Sequence, residues 1–391
     1  MKNLLMVSFG LFIGAAVYNV DVQATNLNVE ELRLGKAVKA MPEAATQFGS
    51  RLNRFSKLIY TVDSYDGASR LIANEGNQLW RTAIDEYAKR KDFDDRPLYW
   101  ARLKFNSIIK NTKLFAKLSE SEQQQLLWIS ELATRGNSDV EFDKNTRFKI
   151  LLTGFDPFFL DRYIDQSNPS GVIATAFDNK VFYVGGQAVE VETLIVPVRF
   201  EDFDKGMIET MLTPRLQNKQ VDMIVTVSMG RDDFDLERFP GLRRSAKAPD
   251  NLNVYTGASA ETPLVPMYAG KMLKGPEFNQ FSLPASAMKL AEGAFKINDN
   301  HKVTTKTKSF HPKTLNELEG EVSVQGSGGG YLSNEISYRS LLLRDKYQAD
   351  LPVGHIHTPR YQGFKPEKIE KMVNQVEQML IKALESLTET K

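Results

Sequence analysis

The 391-residue chain contains no cysteine. That absence excludes disulfides, a thiolate nucleophile, a lipid-modified N-terminal cysteine and zinc sites built on sulfur. Net charge is nearly absent too: 50 Lys plus Arg stand against 49 Asp plus Glu, a formal +1. No overall field therefore draws the protein to nucleic acid or to an anionic membrane, and no polybasic tail, internal repeat or low-complexity tract is found. What is present is 42% hydrophobic and 25% charged residues, the composition of a soluble globular protein that buries a large core.

The one apolar run of note, Leu4 to Val17, follows Lys2 and precedes the small-residue stretch Val22-Gln23-Ala24. It is short and poorly flanked for a stable span, so residues 1–24 are expected to be a signal peptide, with a retained membrane anchor as the alternative. A periplasmic or secreted location follows, without a membrane span once the signal is removed.

Residues 25–145 read as a helical N-terminal region. Leu52, Phe55, Leu58 and Ile59, then Leu79, Trp80, Ile84 and Tyr87, recur at three- and four-residue steps between charged residues. Ser119 and Glu122 form a capping box ahead of Leu126, Leu127, Ile129 and Leu132. Trp80, Trp100 and Trp128 all fall here and are expected to be packing aromatics rather than a ligand cage. The segment Arg135 to Asn145 reads as a linker.

From residue 146 to 391 the rhythm changes to strands alternating with helices. A buried strand beginning at Phe148 is predicted to end in a Thr-Gly turn and an aromatic loop, Gly154 to Phe158. Further strands are predicted over Val189–Val198, Val221–Met229, Glu321–Gln325 and Leu351–Pro359, and a closing amphipathic helix over Pro366–Leu387. The fold class is α/β, an open, mostly parallel sheet flanked by helices and preceded by the helical region. Ligands of such sheets gather at the carboxyl ends of the strands, which directs attention to four stretches: GFDPF at 154–158, RDDFDLERF at 231–239, GSGGGYLSNE at 326–335 and GHIHTP at 354–359.

Read on their own, these residues leave alternatives open. Ser333 or Asn334 suits an N-cap for a helix starting near Glu335. Glu237 with Arg238 could form a surface ion pair. His355 and His357 share one face of a strand, so either could act as a base or both could bind a metal. The glycine run Gly328 to Gly330 lacks the Lys and Ser/Thr of a phosphate loop, and His301 and His311 read as solvated loop residues.

The order of the four stretches, with Pro249-Asp250-Asn251, Val196-Pro197, Asn168-Pro169-Ser170 and Phe281 to Pro284, resembles the pyroglutamyl peptidase I (pyrrolidone-carboxylate peptidase) family over about residues 147–385. The resemblance implies Ser333, in place of the family's cysteine, as nucleophile, His357 as general base and Glu237 as the orienting carboxylate. It also implies a pocket in which Phe155 and Phe158 sandwich a pyrrolidone ring, with Tyr331, Leu332 and Val198 around it. The chain departs from the family at Phe159-Leu160, at Ser228 to Arg231 and in insertions before Asn168 and over about residues 298–319. The expected function is a peptidase that removes N-terminal pyroglutamate from peptides. The alternatives are a catalytically silent pyroglutamyl-peptide-binding protein and an amidase for another small cyclic or acylated amine. Peptides are the expected partners, with no metal, no organic cofactor and no nucleic acid; oligomeric state is left open.

Overall fold

A computed structural model describes residues 27–389, so the expected signal segment lies outside the described residues. Seven helices come first: α1 (Val29–Leu32), α2 (Leu34–Ala40), α3 (Pro42–Thr46), α4 (Gly49–Ile59), α5 (Tyr65–Arg90), α6 (Arg96–Lys110) and α7 (Glu120–Ala133). Their starts follow local chemistry. The Ser119 hydroxyl accepts the N–H of Glu122 and the Glu122 carboxylate accepts that of Ser119, the reciprocal box that opens α7. Asn28 and Glu31 do the same for α1.

The rest of the chain builds β1 (Phe148–Phe155), α8 (Pro169–Phe177), β2 (Lys180–Val184), β3 (Gln187–Val196), α9 (Phe200–Asp204), α10 (Met207–Gln217), β4 (Met223–Met229) and β5 (Phe234–Glu237). There follow β6 (Met267–Tyr268), β7 (Lys271–Met272), α11 (Ala285–Met288), β8 (Ile297–Asn300), β9 (Val303–Thr305), β10 (Ser309–Phe310), β11 (Ser323–Gln325), α12 (Leu332–Tyr347), β12 (Val353–Thr358) and α13 (Pro366–Glu389). The main sheet runs β2-β3-β1-β4-β12-β5-β8. Its centre, β3-β1-β4-β12, is parallel, while β2 and β5 run antiparallel to their inner neighbours.

Central parallel strands are covered on both faces, which is why β1 reads as a continuous apolar run rather than an alternating one. Its side chains still alternate. Phe148, Ile150 and Leu152 join a core with α8, α13 and helices α4 to α7, whereas Leu151 and Phe155 join a second core with α10 and α12. Phe55, Trp80 and Leu98 share the first core with Ile150 and Val225, so the N-terminal helices and the sheet bury one continuous apolar interior. Each of these large side chains contributes about 1.5–3 kcal/mol by leaving water.

Three expectations need correction, and one strand was not foreseen. Thr153 and Gly154 do not turn; β1 continues through Phe155, because Thr153, Gly154 and Phe155 remain in register with Leu194, Ile195 and Val196 of β3. Glu321–Gln325 supplies β11 to a separate three-stranded sheet with β9 and β10 rather than a main-sheet strand. The stretch after β4 is itself a strand, β5, which pairs with β12. His301 is not simply solvated: its Nδ1 lies 2.7 Å from the Pro312 carbonyl and its Nε2 3.1 Å from Asp299. Among the described residues no helix is long and apolar enough to cross a membrane.

Candidate active site

Strand order reverses about β1: the chain leaves it toward β3 on one side and returns to β4 on the other. Loops leaving neighbouring strands in opposite directions part at such a point and open a crevice at their carboxyl ends. A cleft lies there, lined by Phe155 and Phe158 after β1, Val198 after β3, Ser228 and Met229 at the end of β4, Asn168, and Tyr331, Leu332 and Ser333 at the start of α12. Its volume is about 40 Å3. A water needs about 10–15 Å3 on this scale, so the cleft suits a small ring or a few waters and not an extended side chain.

His357 and Glu237 meet beside this cleft. β12 and β5 are adjacent antiparallel strands, and the His357 Nδ1 lies 2.6 Å from Glu237 Oε1. Glu237 is fully buried, and its other oxygen accepts the Asn300 side-chain N–H at 2.8 Å. Burial raises the Glu237 carboxyl above its usual range, while the hydrogen bond from His357 opposes that shift. A carboxylate on Nδ1 fixes the proton there and leaves Nε2 as the basic nitrogen. Gly230 clears the way for the ring, since a Cβ at that position would come within 2.6 Å of the His357 Cβ. The alternative of a surface Glu237–Arg238 pair is thus overturned: Arg238 pairs with Asp299 instead.

Ser333 is not an N-cap. Helix α12 begins at Leu332 with Tyr331 as its cap residue and no side-chain cap. Asn334 is committed elsewhere, accepting the N–H of Gly241 at 2.9 Å and donating to its carbonyl at 2.7 Å. The carbonyl of the cap residue Tyr331 accepts the first helical N–H, that of Glu335, so the N–H groups of Leu332, Ser333 and Asn334 have no intrahelical acceptor at the positive end of a 16-residue helix. The Ser333 hydroxyl donates to the Gly328 carbonyl at 3.3 Å. Gly328 sits between the helix start and the imidazole: a Cβ on it would be 3.5 Å from both the Asn334 Cα and the His357 Cε1.

Of the residues singled out from the sequence, Ser333, Phe155, Phe158, Tyr331, Leu332 and Val198 line one cleft, and His357 and Glu237 form the hydrogen-bonded pair beside it. His355 separates from His357 by its partners. Its Nδ1 contacts the Thr226 hydroxyl at 2.8 Å and its Nε2 the Ser228 hydroxyl at 2.7 Å, so both ring nitrogens are occupied. Burial, reinforced by the neighbouring His357, pushes the His355 imidazole well below its usual value and keeps it neutral.

Several residues at the site carried no assignment from sequence. Ser228 forms part of the cleft wall, and its place at the end of β4 was a usable signal. Asn168 lines the cleft and donates to the Asp156 carbonyl at 2.8 Å. Asp95, far upstream, holds the Asn168 backbone N–H at 3.0 Å and the Ser167 hydroxyl at 2.6 Å, and burial pushes its carboxyl up to about 8. Asp156, inside the aromatic loop, is gripped by Arg102 and by Arg135, the latter at 2.8 Å. No sequence periodicity connects those arginines to the loop.

The fold is thus an open, mostly parallel α/β sheet with a helical layer added at the N-terminus and a cleft at the switch point. Two descriptions match the chain along its length, "PA0049 N-terminal domain" over residues 15–131 and "PA0049, C-terminal domain" over residues 149–291 and 290–362. The chain belongs to the PA0049 family. It is similar to a Pseudomonas aeruginosa protein called "Uncharacterized protein PA0049", with 26% identity over 390 residues covering 76% of this chain and 70% of that one. Among solved structures it is similar to pyrrolidone carboxyl peptidase of the hyperthermophile Pyrococcus furiosus, with 22% identity, 61% of this chain and 100% of that chain covered, and a TM-score of 0.43. A variant of the same enzyme gives the same identity and coverage with a TM-score of 0.41.

Proposed function

We propose that the protein is a peptidase-type hydrolase that removes N-terminal pyroglutamate from peptides with Ser333, His357 and Glu237. The observation that carries this reading is the buried 2.6 Å His357–Glu237 contact beside a small cleft that also holds Ser333. The pyrrolidone ring lies between Phe155 and Phe158. His357 Nε2 takes the Ser333 proton as the oxygen attacks the amide carbonyl, and the open N–H groups at the start of α12 receive the oxyanion. The C–N bond then breaks, the leaving amine takes the proton from His357, and water hydrolyses the acyl-serine with the imidazole again acting as base. Before attack the Ser333 hydroxyl must leave the Gly328 carbonyl and turn toward the imidazole.

The test is release of 4-nitroaniline from pyroglutamyl 4-nitroanilide by purified protein, with loss of at least about 1000-fold in Ser333→Ala. Equal activity in the two proteins removes Ser333 from the mechanism. A second reading is favoured by the present Ser333–Gly328 hydrogen bond, which leaves the hydroxyl unengaged with the base: a pyroglutamyl-peptide-binding protein without turnover. It requires wild type to bind the substrate unchanged, and Ser333→Cys to gain activity. Turnover of other cyclic or acylated amides in preference to the pyroglutamyl one would instead favour an amidase built on the same residues.

A further inference from the structure

Next to the small cleft lies a much larger groove of about 640 Å3. The two share Phe158, and the Tyr331 hydroxyl of the cleft wall donates to the Pro249 carbonyl in the groove wall at 2.8 Å. Phe159 and Tyr255 line the groove with their side chains substantially exposed, 46% and 64% respectively. Phe159 also has a φ of 64°, a left-handed backbone that a bulky aromatic adopts only at a cost. Its ring is set against that of Phe158, with centroids 4.3 Å apart. An exposed aromatic on a strained backbone contributes little burial in return, so its place at the junction of cleft and groove calls for a contact outside the folded chain.

The charges of the groove point one way. Asp161 is bound to Arg33 at 2.7 Å, and Asp250 is turned into its own loop, accepting the N–H groups of Phe200, Leu252 and Val254. Arg162 and Lys247 are exposed, and Lys247 has only the equally exposed Glu261 at 3.4 Å. The acidic groups of the lining are therefore spent, and of its basic groups Arg33 is buried against Asp161 while Arg162 and Lys247 face solvent.

We infer that this groove, with Phe159 at its entrance, is a second subsite that holds the stretch of an acidic peptide beyond the group seated in the small cleft. Phe159 is then a specificity-determining residue that packs on the first residue after the scissile bond, and Arg162 and Lys247 attract carboxylates farther along. This rests on the reading of the small cleft as the acyl subsite, through the Phe158 wall that the two spaces share.

The experiment measures affinity in a Ser333→Ala background, so that no peptide is consumed. The probes are one tetrapeptide amide with acidic second and fourth residues, capped at its N-terminus by either pyroglutamyl or acetyl. A neutral tetrapeptide with the same caps is the control. Both acidic peptides are expected to bind, the pyroglutamyl one more tightly. Phe159→Gly and, as a second variant suited to a left-handed backbone, Phe159→Asn should each weaken both by about tenfold while keeping Tm within about 2 °C of the parent or above it. Arg162→Ala with Lys247→Ala should weaken the acidic peptides about tenfold and the neutral control by less than about twofold. Acetyl and pyroglutamyl peptides that bind equally, both weakened by Phe159→Gly, would keep the groove and overturn the pyroglutamyl reading of the cleft. Failure of both acidic peptides to bind the parent, or affinities unchanged within about twofold in both Phe159 variants, would overturn the groove itself.

Discussion

The seam between the N-terminal helices and the sheet, and the switch point at the strand ends, both bury polar side chains, but only the seam closes its charges in a full network. At that seam charge is matched by charge: Arg135 meets Glu131 at 2.6 Å and Asp156 at 2.8 Å, and Arg199 meets Glu131 at 2.6 Å and Glu30 at 3.2 Å. Burial would raise the Glu131 carboxyl, yet Arg199 and Arg135 outweigh it and hold it far below the usual range. At the switch point the pattern stays open: His357 spends one nitrogen on Glu237, the start of α12 keeps its first N–H groups, and Ser333 has a single weak acceptor. Closed networks fix geometry; groups left open beside a cleft are available to a substrate.

The two patterns are joined at the aromatic loop. Arg102 and Arg135 bind Asp156 between Phe155 and Phe158, and Asp95 binds the backbone of Asn168. The N-terminal helices thus hold two walls of the cleft without contributing to its chemistry, and a variant on either side should fail in a different way.

The largest expected effect is on the open side. His357→Ala should lower kcat/KM for pyroglutamyl 4-nitroanilide by at least about 1000-fold, and Glu237→Gln by about 100-fold or more, through loss of the tautomer that leaves Nε2 basic. Thermal unfolding of His357→Ala should show a folded protein; an unfolded one would place the pair with the structural networks. Next is the closed side: Asp156→Ala strands the buried Arg102 and leaves Arg135 with Glu131 alone, and should cost about 3–5 kcal/mol in urea unfolding. A loss below about 1 kcal/mol would mean that the N-terminal helices do not depend on the loop.

A smaller effect separates the two by pH. Burial sets the Asp95 carboxyl at about 8 in the folded state, above its unfolded value, so the folded protein holds that proton more tightly. Its contribution is most favourable below the unfolded pKa and is lost as pH rises toward about 8. Asp95→Asn carries no such loss, and its stability relative to wild type should improve by at least about 1 kcal/mol, one pKa unit's worth, between about pH 5 and pH 8.5. A constant difference across that range would show that Asp95 is ionised throughout. Smallest is the exposed Lys205–Glu201 pair at 2.6 Å: Lys205→Ala should change stability by no more than about 0.5 kcal/mol.

Much of the candidate site was legible because its members end strands or begin a helix. The period of two puts His355 and His357 on one face, and the carboxyl-end rule directs attention to Phe155, Phe158 and Glu237. The same rule would have reached Ser228, had its pairing with His355 been foreseeable. That pairing depends on β12 lying beside β4 in a register that sets His357 against Ser228, which no local pattern encodes. The start of α12 at Leu332 rather than near Glu335 was missed because Asn334, a good capping residue by type, is taken up by Gly241 from a distant loop.

By itself the sequence determined what depends on neighbours along the chain. The capping boxes at Asn28 and Ser119, the buried run of β1, the helix after Pro366 and the absence of any thiol chemistry are all properties of short segments. Tertiary structure alone decided which distant charges meet. Arg102 and Asp156, Asp95 and Asn168, and Glu237 and His357 come together only when the sheet order and the helical layer are in place. The physical reason is that a buried charge or imidazole takes its state from whichever partner lies within about 4 Å, and that partner is set by the fold rather than by spacing along the chain.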